Sequence, residues 1–300
     1  MWQVFILAYG FNMIPTADTL SLFVIFRLRN LTSNSVVSEL AGLAWHFKTV
    51  DSLAWATARS SIEVQRAIVG GTKRAHHVVE RAVPLPVERL VDGVARAARA
   101  SSAYDDFLWG AMVVVAFFTA ARAQEVCTYD EVALRTTVKL VKRSSTVVND
   151  SGFTAFLPFH KSDRLYTGSH LWFASSAGNL FTVIRVWLRA RDHLFPDTDI
   201  LFLRANGATP TRRWFVDKLK SFCGAEYAGH SLRAGGATFY ALRGASDAEI
   251  MRIGRWVSTS WAKYVRVRPE LAIALRTRTI NGFLPLAAPA FDDSALLPFL

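Results

Sequence analysis

A chain of 300 residues with 51% apolar and 12% aromatic side chains can bury a sizeable core, which excludes wholesale disorder and fibrous repeats. Lys and Arg number 35 against 24 Asp and Glu, and the formal net charge of +11 asks for a polyanionic partner, either nucleic acid or an anionic membrane surface. Cys127 and Cys223 are far apart and lack metal-ligand spacing, the usage of plain buried thiols in a reducing compartment.

The first residues, Met1 to Tyr9, have no basic n-region and no small-residue cleavage site, so a signal peptide is not expected and an intracellular protein is. Residues 1 to about 80 read as helical. Thr19, Leu20, Leu22, Phe23, Ile25 and Phe26 crowd at helical spacing, and Val36, Leu40, Leu43 and Ala44 repeat the pattern after a turn at Asn30 to Asn34. Ser60-Ser-Ile-Glu63 has the form of a capping box opening another helix. Val83-Pro-Leu-Pro86 then breaks any helix and reads as a linker between a domain at 1–82 and one at 87–300.

Leu90 to Val126 is helical again. Its longest apolar run, Phe107 to Ala121, falls short of the roughly 18 to 20 residues that span a bilayer and ends on Arg122, so it predicts a core helix. Thr136 to Phe173 alternates in period two. Strands are expected at Val138 to Lys142, Phe153 to Phe159 and Leu171 to Phe173, with a turn at Asn149-Asp-Ser-Gly152. Helices resume at Leu180 to Arg191 and continue toward Thr279. Ser246-Asp-Ala-Glu249 caps one of them, and Gly254 is expected to stop it. The fold class is mainly α: a helical N-terminal domain, then a larger helical domain carrying a small antiparallel β-sheet.

Several basic residues sit in chemically suggestive places. Arg122 ends the apolar helix with Glu125 one turn on, which alone is explained by an ion pair. Lys161, in His160-Lys-Ser-Asp163, follows a strand, and alone reads as a solvated turn residue. His230-Ser-Leu-Arg233 stands at a helix start. Trp256 follows, then Tyr264 inside Lys263-Tyr-Val-Arg266, a tyrosine flanked by cations and better suited to phosphate than to a core.

In this order the residues resemble the tyrosine recombinase, or phage-integrase-like, family. That family's pattern is an Arg, a hairpin Lys, a His-x-x-Arg, a His or Trp, and a nucleophilic Tyr. Here it is met by Thr119-Ala-Ala-Arg122-Ala-Gln-Glu125, Lys161, Gly229-His-Ser-Leu-Arg-Ala-Gly-Gly-Ala-Thr238, Trp256 and Tyr264. Gly254-Arg-Trp-Val-Ser258 is similar to eukaryotic mobile-element members, Crypton-like or DIRS-like. One departure is Thr119-Ala120, where the family has Thr-Gly. The resemblance covers most of the chain, and an opening inside the first helical domain is consistent with a domain cut short at its start.

The resemblance implies a two-domain, C-shaped DNA clamp, a core-binding (SAM-like) helical domain followed by the catalytic domain. It implies a site-specific recombinase or integrase acting on double-stranded DNA, as a tetramer on two sites, nuclear if the source is eukaryotic. Tyr264 would attack phosphorus to make a 3′-phosphotyrosyl bond. Arg122 and Arg233 would hold the non-bridging oxygens and Trp256 would donate its indole N–H to them. Lys161 would protonate the leaving oxygen, His230 would take the tyrosine's proton, and Glu125 would orient the site. No metal, nucleotide or other cofactor is expected, because the covalent bond stores the energy for rejoining. Two alternatives remain, a type IB topoisomerase-like enzyme and a non-catalytic DNA-binding relic of a mobile element. The charge points the same way: residues 1–86 carry net +3 and residues 201–280 net +9, so the field is concentrated around His230, Arg233, Trp256 and Tyr264, and membrane binding drops out.

Overall fold

A computed structural model describes residues 1–74, 83–100, 104–160, 163 and 165–262. The chain divides into two compact units, Met1–Glu80 and Arg81–Leu300. Among the described residues the first holds α1 (Trp2–Tyr9), α2 (Ala17–Leu28), α3 (Ser33–Val50), α4 (Ser52–Ser60) and α5 (Ile62–Arg74). Side-chain oxygens set the starts of α2, α3 and α4: Thr16, Thr32 and Asp51 accept from main-chain N–H groups of Thr19, Ser35 and Ala54. The core is aromatic, with Trp2 edge-on to Phe23 at 5.2 Å and Phe47 stacked on Trp55 at 5.4 Å. The capping box expected at Ser60 does not form, and a single cap stands one residue on. Because α4 runs through Ser60, its hydroxyl donates back to the Thr57 carbonyl, and Ser61 caps α5 by accepting from the Val64 N–H at 3.4 Å.

The second unit contains α6 (Val87–Ala100), α7 (Tyr104–Phe118) and α8 (Ala123–Val126). A sheet of β1 (Val147–Asn149), β2 (Gly152–Leu157) and β3 (Ser169–Ala174) follows, then α9 (Asn179–Leu194), α10 (Arg212–Cys223), α11 (Gly229–Leu242) and α12 (Asp247–Gly254). The expected class holds: the molecule is mainly helical with a three-stranded antiparallel sheet. Every residue from Phe107 to Phe118 is buried, so α7 is apolar all round and forms the spine of this core. Among the described residues, no helix is long and apolar enough to cross a membrane.

Two expectations are corrected here. The strand expected at Val138 to Lys142 is absent; Thr137–Lys139 closes a 3-10 turn and Val138 is 75% exposed. Val138 and Leu140 do alternate with lysines, but they face no partner strand, and only Lys142 makes an isolated bridge, to Ile200. The sheet begins instead at β1, and the turn after it was correctly expected, with the Asn149 side chain accepting from the N–H groups of Ser151 and Gly152. The linker reading of Val83 to Pro86 also changes. The prolines do keep the segment out of helix, yet Leu85 is 1% exposed and its N–H donates to the Ser231 carbonyl at 2.9 Å. The segment therefore belongs to the second unit, since an apolar side chain between two helix breakers still fits a core.

Leu85 and α7 determine where α11 lies. A Cβ on Gly235 would stand 2.2 Å from the Leu85 carbonyl oxygen, and one on Gly236 would stand 2.1 Å from that of Phe117. Only glycine allows main chain to approach main chain this closely. The paired glycines of the sequence motif thus press α11 against the end of α7, directly beside Arg233.

Candidate active site

The site is built from two helix ends. After α7 the chain turns through Ala120 at φ 45°, with the Ala121 N–H donating to the Ala116 carbonyl at 2.8 Å and the Ala120 N–H to that of Phe117 at 3.0 Å. This is the left-handed double bond pattern that usually takes glycine, and Ala120 adopts it at a cost of roughly 1 kcal/mol. The departure from Thr-Gly therefore leaves the turn intact. α12 opens on the expected capping box, in which Ser246 and Glu249 exchange bonds. Its end repeats the left-handed turn: Arg255 has φ 56°, and the Trp256 N–H donates to the Met251 carbonyl at 2.9 Å. Gly254, expected to stop this helix, is its last helical residue instead. Its missing side chain makes room for Trp256, because a Cβ there would lie 1.7 Å from the indole ring.

Both turns present a carbonyl to Arg233. Its Nη1 donates to Ala120 at 2.5 Å and its Nη2 to Gly254 at 2.6 Å, and the residue is 2% exposed. The face of Trp256 covers the guanidinium at 4.0 Å. Arg233 is thus fixed in plane by two helix C-termini, where the helix dipole favours a cation.

Arg122 opens α8 in an extended conformation. Its main-chain N–H donates to Glu125 Oε2 at 3.0 Å and its Nη1 to Oε1 at 2.8 Å, so the expected pair forms. Arg255 Nη2 reaches Oε2 of the same carboxylate at 2.8 Å, and its Nη1 donates to the carbonyls of Ile253 at 3.0 Å and Thr119 at 3.2 Å. Burial alone would push the Glu125 carboxyl up. The charge of Arg255, the two bonds from Arg122 and the charge of Arg233 outweigh it and hold the carboxyl below its ordinary value. Burial pushes Arg255 down, against the pull of Glu125.

Arg122, Glu125, Arg233 and Trp256 are therefore brought into one cluster. His230 lies on the first turn of α11, exposed, one turn from Arg233. Lys161 and Tyr264 fall outside the described residues; in sequence Lys161 lies between β2 and β3, and Tyr264 lies two residues past Ala262. Sequence reasoning missed Arg255, which stands between two residues it singled out. It also missed a cavity of about 360 Å³ lined by Arg122, Glu125, Tyr129, Lys139, Phe159 and His160. Lys139 sits 4.5 Å above the Phe159 ring. Burial, reinforced by Arg255 and Arg122, holds His160 below its ordinary pKa against the opposing pull of Glu125 and Asp163. Cys127 also lines the cavity; like Cys223 it is an unbridged, buried thiol pushed up in pKa by burial.

Arg122 and Arg255 share the Glu125 carboxylate and the charge of Arg233 also acts on it, so among the described residues the cluster holds three guanidinium groups to one carboxylate in a low-dielectric setting. Such a setting suits a tetrahedral oxyanion. No protein-family model and no curated protein sequence matches the chain. Solved structures do. The integrase of transposon Tn1549 in complex with circular intermediate DNA is similar at a TM-score of 0.52 and 15% identity, over 87% of this chain and 85% of that one. XerA recombinase is similar at 0.50 and 15%, over 90% and 91%. The fold of this chain is that of this integrase and this recombinase.

Proposed function

We propose that the protein is a site-specific DNA recombinase or integrase that breaks and rejoins double-stranded DNA through a 3′-phosphotyrosyl intermediate. The observation that carries this reading is the Arg233 anchorage. Two helix ends and an indole face converge to fix one guanidinium beside the Arg122–Glu125 pair, in the fold of known integrases and recombinases. Such preorganisation supports a charge that develops in a transition state.

In the reaction, the Tyr264 oxygen attacks phosphorus as the bond to the 5′ oxygen breaks, leaving a 3′-phosphotyrosyl ester and a free 5′-hydroxyl. His230 takes the phenol proton and Lys161 supplies one to the leaving oxygen. Arg122 and Arg233 hold the non-bridging oxygens, and the indole N–H of Trp256 adds a donor. Religation reverses these steps with no external energy source. The functional unit in this reading is a tetramer on two sites, the source a eukaryotic mobile element of Crypton-like or DIRS-like kind, and the compartment nuclear.

The test is incubation with nicked or suicide DNA selected from a random library. An SDS-resistant adduct is expected from the wild type and none from Tyr264→Phe. An adduct from Tyr264→Phe overturns the assignment of the nucleophile. DNA retention without any adduct assigns the non-catalytic relic, and relaxation of a supercoiled plasmid lacking a specific site assigns the type IB topoisomerase-like reading.

A further inference from the structure

We infer that Arg255 is a positioning residue for strand cleavage, holding Arg122 through the Glu125 carboxylate and Trp256 through its own left-handed main chain. This rests on the reading of the protein as a DNA-cleaving recombinase. Arg255 has a side chain only 6% exposed, and it ties three places together: the Glu125 carboxylate at 2.8 Å, the Thr119 carbonyl at the end of α7 at 3.2 Å, and the Ile253 carbonyl at the end of α12 at 3.0 Å. These are the two helix ends that grip Arg233. Its φ of 56° reverses the chain so that Trp256 packs over Gly254 and onto the Arg233 guanidinium.

The sharing of Glu125 is what separates this arrangement from an ordinary buried pair. A lone carboxylate beside Arg122 would turn both oxygens onto it and cancel its charge. With Arg255 present, the carboxylate is divided: Oε1 takes Arg122 Nη1, and Oε2 takes Arg255 and the Arg122 main-chain N–H. Arg122 is oriented while the cluster keeps its surplus of positive charge for the phosphate. Loss of Arg255 should then act on the transition state more than on DNA affinity, which is spread over many phosphates.

Arg255→Gly is the informative variant, because glycine keeps the left-handed turn and removes only the side chain. Arg255→Lys restores a charge that can reach Glu125 but cannot also serve two carbonyls. With the full chain, single-turnover adduct formation on suicide DNA and the equilibrium DNA Kd are measured separately. Arg255→Gly is expected to slow adduct formation by about 100-fold while Kd moves less than about threefold, and Arg255→Lys to recover part of the rate. In the DNA-free protein, the Arg122 side-chain Nε–Hε resonance is expected to shift in Arg255→Gly and return toward wild type in Arg255→Lys. A wild-type rate in Arg255→Gly overturns the inference, and so does a rate loss matched by an equal loss of affinity. If the wild type forms no adduct on any DNA, the recombinase reading fails; the Arg122 resonance then decides alone, and an unmoved signal overturns the role of Arg255.

Discussion

Ala120 carries a backbone conformation that a methyl group tolerates poorly, and the whole α7 turn depends on it. Ala120→Gly is expected to stabilise the protein by about 0.5 to 1 kcal/mol, read as a higher urea midpoint at unchanged slope. Glu125 makes a pH-dependent contribution. Its folded carboxyl lies below the ordinary value of 4.5, so its stabilisation is complete above that pH and is lost as pH falls through the lower folded value. Urea titrations across this acid range should show the gap between wild type and Glu125→Gln closing as pH falls. The Arg122–Glu125 pair was legible because a three-residue spacing brings two side chains together at a helix start as well as on a helix face, and here Arg122 precedes α8 while Glu125 is its third residue. Arg255 was not legible: its position depends on a left-handed turn that its residue type disfavours, and no periodicity signals that.

At the level of elements, α11 lies main chain to main chain against the end of α7. Gly236→Ala places a methyl 2.1 Å from the Phe117 carbonyl oxygen, a main-chain atom that cannot move without the helix. The expected cost is about 1 to 3 kcal/mol, measured by thermal unfolding, together with slower adduct formation as Arg233 leaves its carbonyl anchors. The helices α7, α11 and α12 could be read from apolar runs, a motif and a capping box, because each signal is local. The segment at Val138 could not. Period-two alternation says which side chains share a face, but whether that face meets another strand is decided by residues far away in the chain. The Ser60 box failed for a neighbouring reason, since α4 had already used that hydroxyl.

For the molecule as a whole, each unit has its own apolar core among the described residues, one around Phe23 and Phe47 in the first, and one around α7 with a smaller cluster of Ala237, Ile250 and Trp261 beside it in the second. The fragment 81–300 is accordingly expected to unfold as one cooperative transition by circular dichroism. The net charge of +9 over residues 201–280 should make DNA affinity fall steeply with salt. Replacing the exposed Arg212 and Arg213 by Gln should flatten the plot of log K against log salt by about one for each phosphate that these side chains neutralise, and an unchanged slope would remove them from the DNA interface. The anchoring of Leu85 has a mechanical side. Its N–H holds the Ser231 carbonyl and its own carbonyl abuts Gly235, residues that stand two before and two after Arg233. Tension on the peptide that enters the second unit is borne by the helical turn carrying the guanidinium. Leu85 thus couples the segment around Pro84 and Pro86 to the turn that positions Arg233, and a displacement of that segment would move the guanidinium with it.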